Sequence, residues 1–243
     1  METVGRSALL QLFEAYQGCR ACDALCASRT HVVFGEGSSS ARIVVVGSHP
    51  GPEEDAVGAP FVGEAGNLLL SLFEQALPEL PELDQIRALN DDAQFFAELR
   101  EYLSDFIFWT NLVMCSPEEG SRLKAAEVKN CSDRLTRTLY AIDPLVIVAA
   151  GPAVGARLLG KKLTASSVGR FFDIEVTSPE TGSPVRYSMF VLSDPATLVK
   201  IGDQHLVKRK NGETYKAIVA LKYMLSILDK YTSTEGLPPT FPV

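Results

Sequence analysis

The chain has 243 residues, five cysteines and a formal net charge of −7. That length allows one α/β domain with a sizeable core, and the acidic balance argues mildly against a protein that coats nucleic acid non-specifically, while leaving room for a localised basic groove. No apolar run approaches the ~20 residues that span a bilayer, and the N-terminus lacks the basic end and long apolar core of a secretory signal. An odd cysteine count without such a signal points to a reducing cytoplasm and a metal site rather than a disulfide scaffold.

Residues 8–17, ALLQLFEAYQ, carry apolar positions at helical spacing and stop at Gly18. ARIVVV at 41–46 is a short β-branched run that reads as a buried parallel strand, and it ends in the Gly- and Pro-rich loop GSHPGPEED. Phe61-Val62-Gly63 leads into an amphipathic helix over 65–76, which PELPELD breaks. The acidic stretch from Glu79 to Asp105 holds a further helical segment, DAQFFAELREYL. FIFWTNLV at 106–113 is the second strand, residues 125–140 a helix carrying Cys131, and LVIVAA at 145–150 the third strand, followed by a helix over 153–159. Residues 171–177 and 186–192 read as two more strands around the turn SPETGSP. A last amphipathic helix covers 214–230, and residues 232–243 read as a loosely ordered tail.

Strands alternating with helices predict a three-layer α/β/α fold in a single domain over residues 1–231, with a mostly parallel central sheet of about four strands. Ligands bind beyond the carboxyl ends of such strands. Three segments should therefore converge: the loop after VVV, the end of FIFWTN and the loop after FVLS.

Cys19 and Cys22 form a C-x2-C pair, Cys115 lies at a predicted strand end, and Cys131 sits on the next helix. A chelating pair plus two cysteines from distant elements suits zinc or an iron–sulfur cluster equally by spacing. The alternative is that Cys115 and Cys131 are buried thiols, which pack as small hydrophobes. Cys26 reads as a spare thiol near the site.

The stretch from Cys19 to Gly66 resembles the start of the family 4 uracil-DNA glycosylases. It carries the C-x2-C pair, Arg29-Thr30, Gly35-Glu36-Gly37, a strand and glycine loop, Glu54-Asp55 and GAPFVG. TNLVMCSP and IDPLVIVAAGPAVGARLLG are similar to two later blocks, so the resemblance runs from Cys19 to about Lys200. It implies a [4Fe–4S] cluster on Cys19, Cys22, Cys115 and Cys131, in preference to zinc, as a structural staple. It also implies a monomer that acts on DNA, touches no membrane, flips a uracil or modified base from the stack and hydrolyses its N-glycosidic bond.

Under this resemblance Phe61 stacks on the flipped base, Asn111 reads its edge, and the backbone of Gly47 and Ser48 lies against base and sugar. Glu54 and Asp55 support the site, with Asp55 taken as catalytic; a helix or loop cap is the other reading. Two motifs depart from the pattern. G-E-[AG]-P-G is Gly47-Ser48-His49-Pro50-Gly51 here, and His49 either positions a water or fills space. His-Pro-[SA] is Asp194-Pro195-Ala196, and an ionised Asp194 cannot donate to a departing base anion. A weak uracil glycosylase, one that takes another base, and a DNA-binding member without the chemistry all follow from that. After Asp194, Leu198 reads as a wedge into the duplex, and Lys200, Lys208, Arg209 and Lys210 as phosphate contacts.

Overall fold

Short β-branched runs, buried along their whole length, make the centre of the sheet: β1 (Ile43–Gly47), β2 (Ile107–Asn111) and β3 (Val146–Ala150). β4 (Phe171–Thr177) and β5 (Pro184–Leu192) complete it. The structure is a computed structural model and describes residues 2–201 and 212–234. Strand order is β2-β1-β3-β5-β4, with parallel pairing from β2 through β5 and β4 antiparallel to β5 at the edge. The sheet has five strands rather than about four because β4 returns on β5 as a hairpin. On the other edge, Glu36 exchanges both backbone hydrogen bonds with Trp109 of β2.

Ten α-helices are described: α1 (Glu2–Gln17), α2 (Asp23–Ser28), α3 (Pro52–Val57), α4 (Glu64–Ala76), α5 (Pro81–Arg87), α6 (Asp92–Ser104), α7 (Ala125–Ile142), α8 (Pro152–Leu159), α9 (Pro195–Lys200) and α10 (Glu213–Thr234). Alternate residues of a strand face opposite sides of a sheet, and the core divides accordingly. Ile43, Val45, Ile107, Trp109, Val146 and Val148 pack with α4, α5, α6, α9 and α10. Val44, Val46, Phe108, Ile147 and Ala149 pack with α1, α2, α7 and α8. The expected three layers are present. No described helix is long and apolar enough to cross a membrane.

The last helix continues to Thr234, so residues 232–234 are helical rather than tail, and 235–243 lie outside the described residues. Leu198 overturns an expectation. It lies in α9, only 3% exposed, in the same core cluster as Phe190 and Leu221. Six residues of helix after Asp194 turn this side chain inward, so it cannot enter a duplex. Ile201, which closes the helix, is 58% exposed instead. Leu198→Ala should cost about 2–5 kcal/mol of stability, the range for truncating a buried leucine. Urea unfolding checks this as a lower midpoint at unchanged slope.

Candidate active site and cysteine centre

The parallel strands all end on one side of the sheet, and β1 lies between β2, the next strand in the chain, and β3, so the crevice falls over its end. Gly47 is in register with Asn111, and the pairing continues as Leu112 N–H donates to Gly47 O at 2.8 Å. A Cβ on Gly47 would lie 2.3 Å from Asn111 Oδ1 and 2.8 Å from Phe61 Cζ. Three expected site residues therefore meet at one point, and only glycine lets Asn111 and Phe61 approach the backbone so closely. Asn111 is buried there and Phe61 half-buried. Phe61 has φ +54°, in the left-handed region, which costs a bulky side chain about 1–3 kcal/mol. Its ring meets the edge of Trp109 at 5.9 Å between centroids.

The loops over this point are held by carboxylates. Glu54 accepts from Gly51 N–H through Oε2 and from Gly63 N–H through Oε1, both at 2.9 Å, joining the loop after β1 to the loop that carries Phe61. Asp55 accepts from Thr30 N–H at 2.7 Å and His31 N–H at 3.2 Å, so its two oxygens tether the segment after α2. That geometry is a loop tether of the kind weighed against catalysis. Ser48 is exposed and His49 half-buried. His49 Nδ1 lies 2.9 Å from Pro50 O. A carbonyl only accepts, so Nδ1 donates in this contact, and the neutral ring that makes it carries its lone pair on Nε2.

Asp194 is the N-cap of α9: Oδ1 accepts from Ala196 N–H at 3.0 Å and Oδ2 from Thr197 Oγ1 at 3.1 Å. It sits at the end of the neighbouring strands, where a Cβ on Gly151 would come within 2.9 Å of Asp194 Cβ. Lys200 is exposed in the last turn of α9. Lys208, Arg209 and Lys210 lie outside the described residues.

The four cysteines gather on the opposite face of the sheet, Cys115 and Cys131 buried and Cys19 and Cys22 packed against them. Burial pushes the Cys115 thiol up, a hydrogen bond from Arg29 pulls it down, and Cys131 and Cys19 push it up again. Burial likewise raises Cys22, where Asn130 opposes it and Cys131 adds to it. Arg29 Nη1 donates to Cys115 Sγ at 2.8 Å, and Asn130 Nδ2 to Cys22 Sγ at 3.5 Å. Among the described residues, no three His, Cys, Asp or Glu side chains close tightly enough to hold a metal ion.

Arg134, missed in the sequence, joins the two sites. It is completely buried on α7, donating to Thr110 Oγ1 at 2.8 Å and Asn111 O at 2.5 Å. Its Nε has no hydrogen-bond partner although the Cys131 thiol acts on its charge. A completely buried guanidinium beside the Cys131 and Cys115 thiols fits a negatively charged centre at that place.

The profile of the uracil DNA glycosylase superfamily matches residues 34–219, and the chain belongs to that superfamily. Among its relatives, the type-4 uracil-DNA glycosylase of Archaeoglobus fulgidus is 33% identical over 160 residues, covering 66% of this chain and 63% of that protein. That of Thermotoga maritima is 35% identical over 156 residues, with 64% and 68% covered, and that of Saccharolobus solfataricus 32% over 153, with 63% and 60% covered. The match thus spans about two thirds or less of these relatives' own length.

Arg134→Ala should lower stability by about 3–5 kcal/mol, the cost of breaking a buried charged network from one side. Equilibrium unfolding of the variant beside the parent protein measures it.

Proposed function

We propose that the chain is a DNA N-glycosylase, a hydrolase of base-excision repair that flips a uracil or a modified base from DNA and breaks its N-glycosidic bond. The carrying observation is the convergence of Asn111 and Phe61 on Gly47, which brings a hydrogen-bonding amide and an aromatic ring together at the end of β1. The type-4 uracil-DNA glycosylase names of the relatives support the reading. The Asn111 amide offers a donor and an acceptor to a pyrimidine edge, and Phe61 supplies the stacking face. As the sugar–base bond breaks, its electron pair leaves with the base. Water adds to the sugar carbon and gives its proton to His49 Nε2, whose lone pair is left free by the Nδ1 contact. Asp194 offers acceptors only, which slows departure of uracil and suits a base that presents an N–H on that side.

Cys19, Cys22, Cys115 and Cys131 hold a [4Fe–4S] cluster, which supplies a structural staple rather than chemistry at the base. Ile201 takes the wedge role at the duplex, with Lys200 and the segment 208–210 on phosphates. One copy of the chain suffices, since Gly47, Phe61, Asn111 and Asp194 come from the same polypeptide, and five free thiols suit a reducing cytoplasm.

Base release across uracil, hypoxanthine, xanthine and modified pyrimidines, in single- and double-stranded DNA, tests the reaction. His49→Ala should lower release by about 100-fold. Asp194→Asn keeps the N-cap and adds a donor, and should raise uracil release about tenfold or more. Salt-sensitive DNA binding with no base released from any substrate would instead make the chain a binding module. Anaerobically purified protein should contain iron and acid-labile sulfide in equal amounts, and Cys131→Ser should lose both. Zinc in their place would reject the cluster.

A further inference from the structure

The acidic segment after α4 has a task that its composition hides. Its helix α6 sends Arg100 across to the loop that carries Phe61: Nη1 donates to Pro60 O at 2.9 Å, and Nη2 donates to Phe61 O. A planar guanidinium suits two consecutive carbonyls because its donors sit in a rigid fork. The side chain is only 14% exposed and lies 3.9 Å from Glu36 Oε2. Glu54, which ties the same loop through Gly63, also acts on its charge. The carbonyl it grips belongs to the residue with the left-handed backbone, and such a conformation persists only where its surroundings enforce it.

We propose that Arg100 is a positioning residue: it locks the Phe61 loop in its left-handed shape, so that the ring stands ready as a platform for the extruded base. This rests on the reading of Phe61 as that platform. Arg100 touches no base; it acts through the backbone of Pro60 and Phe61.

Trp109 reports on the loop independently of any reaction. It is the only tryptophan in the chain, fully buried, with Phe61 against its ring. In Arg100→Ala, acrylamide quenching of Trp109 should rise several-fold while the far-ultraviolet circular dichroism stays unchanged. Arg100→Lys should not restore protection, since an ammonium carries no fork. On the substrate that the parent protein cleaves best, Arg100→Ala should lower kcat/KM about tenfold, a typical loss for a loosened positioning group. In a Phe61→Ala background it should add no further loss, because the two residues act as one unit. Unchanged quenching in Arg100→Ala, or losses that multiply independently of Phe61→Ala, overturns the proposal. If the Ala protein does not fold, Arg100→Gln carries the same measurements. If the parent protein releases no base at all, the glycosylase reading fails, and quenching still decides whether Arg100 holds the loop.

Discussion

A completely buried guanidinium sets the terms for the rest of the molecule. Arg134 spans from α7 to the end of β2, holding Thr110 Oγ1 and the carbonyl oxygens of Asn111 and Leu112. Its plane also lies near the ring of Phe34, 5.8 Å from the centroid. Burial drives its pKa down, and the thiols of Cys131 and Cys115 with Tyr16 resist that. A cation in this position is tolerable only with negative charge beside it and acceptors around it. The four cysteines would supply the first as thiolates of the proposed cluster, and the strand end supplies the second. The four cysteines and Asn111, proposed to read the base, are thus joined through one side chain, although they lie on opposite faces of the sheet. This gives a stapling centre a structural reason to matter for Asn111 without any part in bond breaking.

On the other face, rigidity comes from acceptors and donors aimed at loop backbone. Glu54 grips two loops by their N–H groups, Asp55 grips a third, and Arg100 holds carbonyls of the loop that carries Phe61. Gly66 adds a steric limit: a Cβ there would fall 1.9 Å from Phe61 O. An unusual backbone conformation at Phe61 can persist because several neighbours restrict it at once. Loops positioned this way over a packed sheet can present side chains with the precision that bond cleavage needs.

The three central strands were legible because each is a short run buried on both faces, the edge hairpin because a turn separates its two strands, and the long helices because their apolar stripes repeat. Helices α2, α3, α5 and α9 were not, since six or seven residues starting near Pro, Gly or Asp show no periodicity and look like turns. Missing α9 led directly to the misreading of Leu198, whose direction depends on the helix it belongs to. Gly47, Phe61 and Asn111 were legible from motifs in order along the chain. Arg100 and Arg134 were not, because their partners are mostly backbone carbonyls far away in sequence, and nothing in a single chain marks an arginine as buried. Asp55 and Glu54 were legible as important, but their geometry favours the cap that was weighed against catalysis.

The two altered motifs make physical sense together. In the pattern the chain resembles, the carboxylate lies after the first strand and the imidazole after the last; here the imidazole is His49 and the carboxylate Asp194. Each is tied to backbone nearby: His49 Nδ1 to Pro50 O, Asp194 Oδ1 to Ala196 N–H. Asp194 is well suited to cap α9, and so the loop keeps its shape although its donor is gone. Under the proposed reading the exchange leaves an imidazole over β1 to take a proton from water, and acceptors over β5, where a departing anion would be repelled. A site arranged in that way discriminates by what the base can donate. Under the proposed reading, uracil, which leaves as an anion stabilised by donors, is served less well than a base that presents an N–H to Asp194.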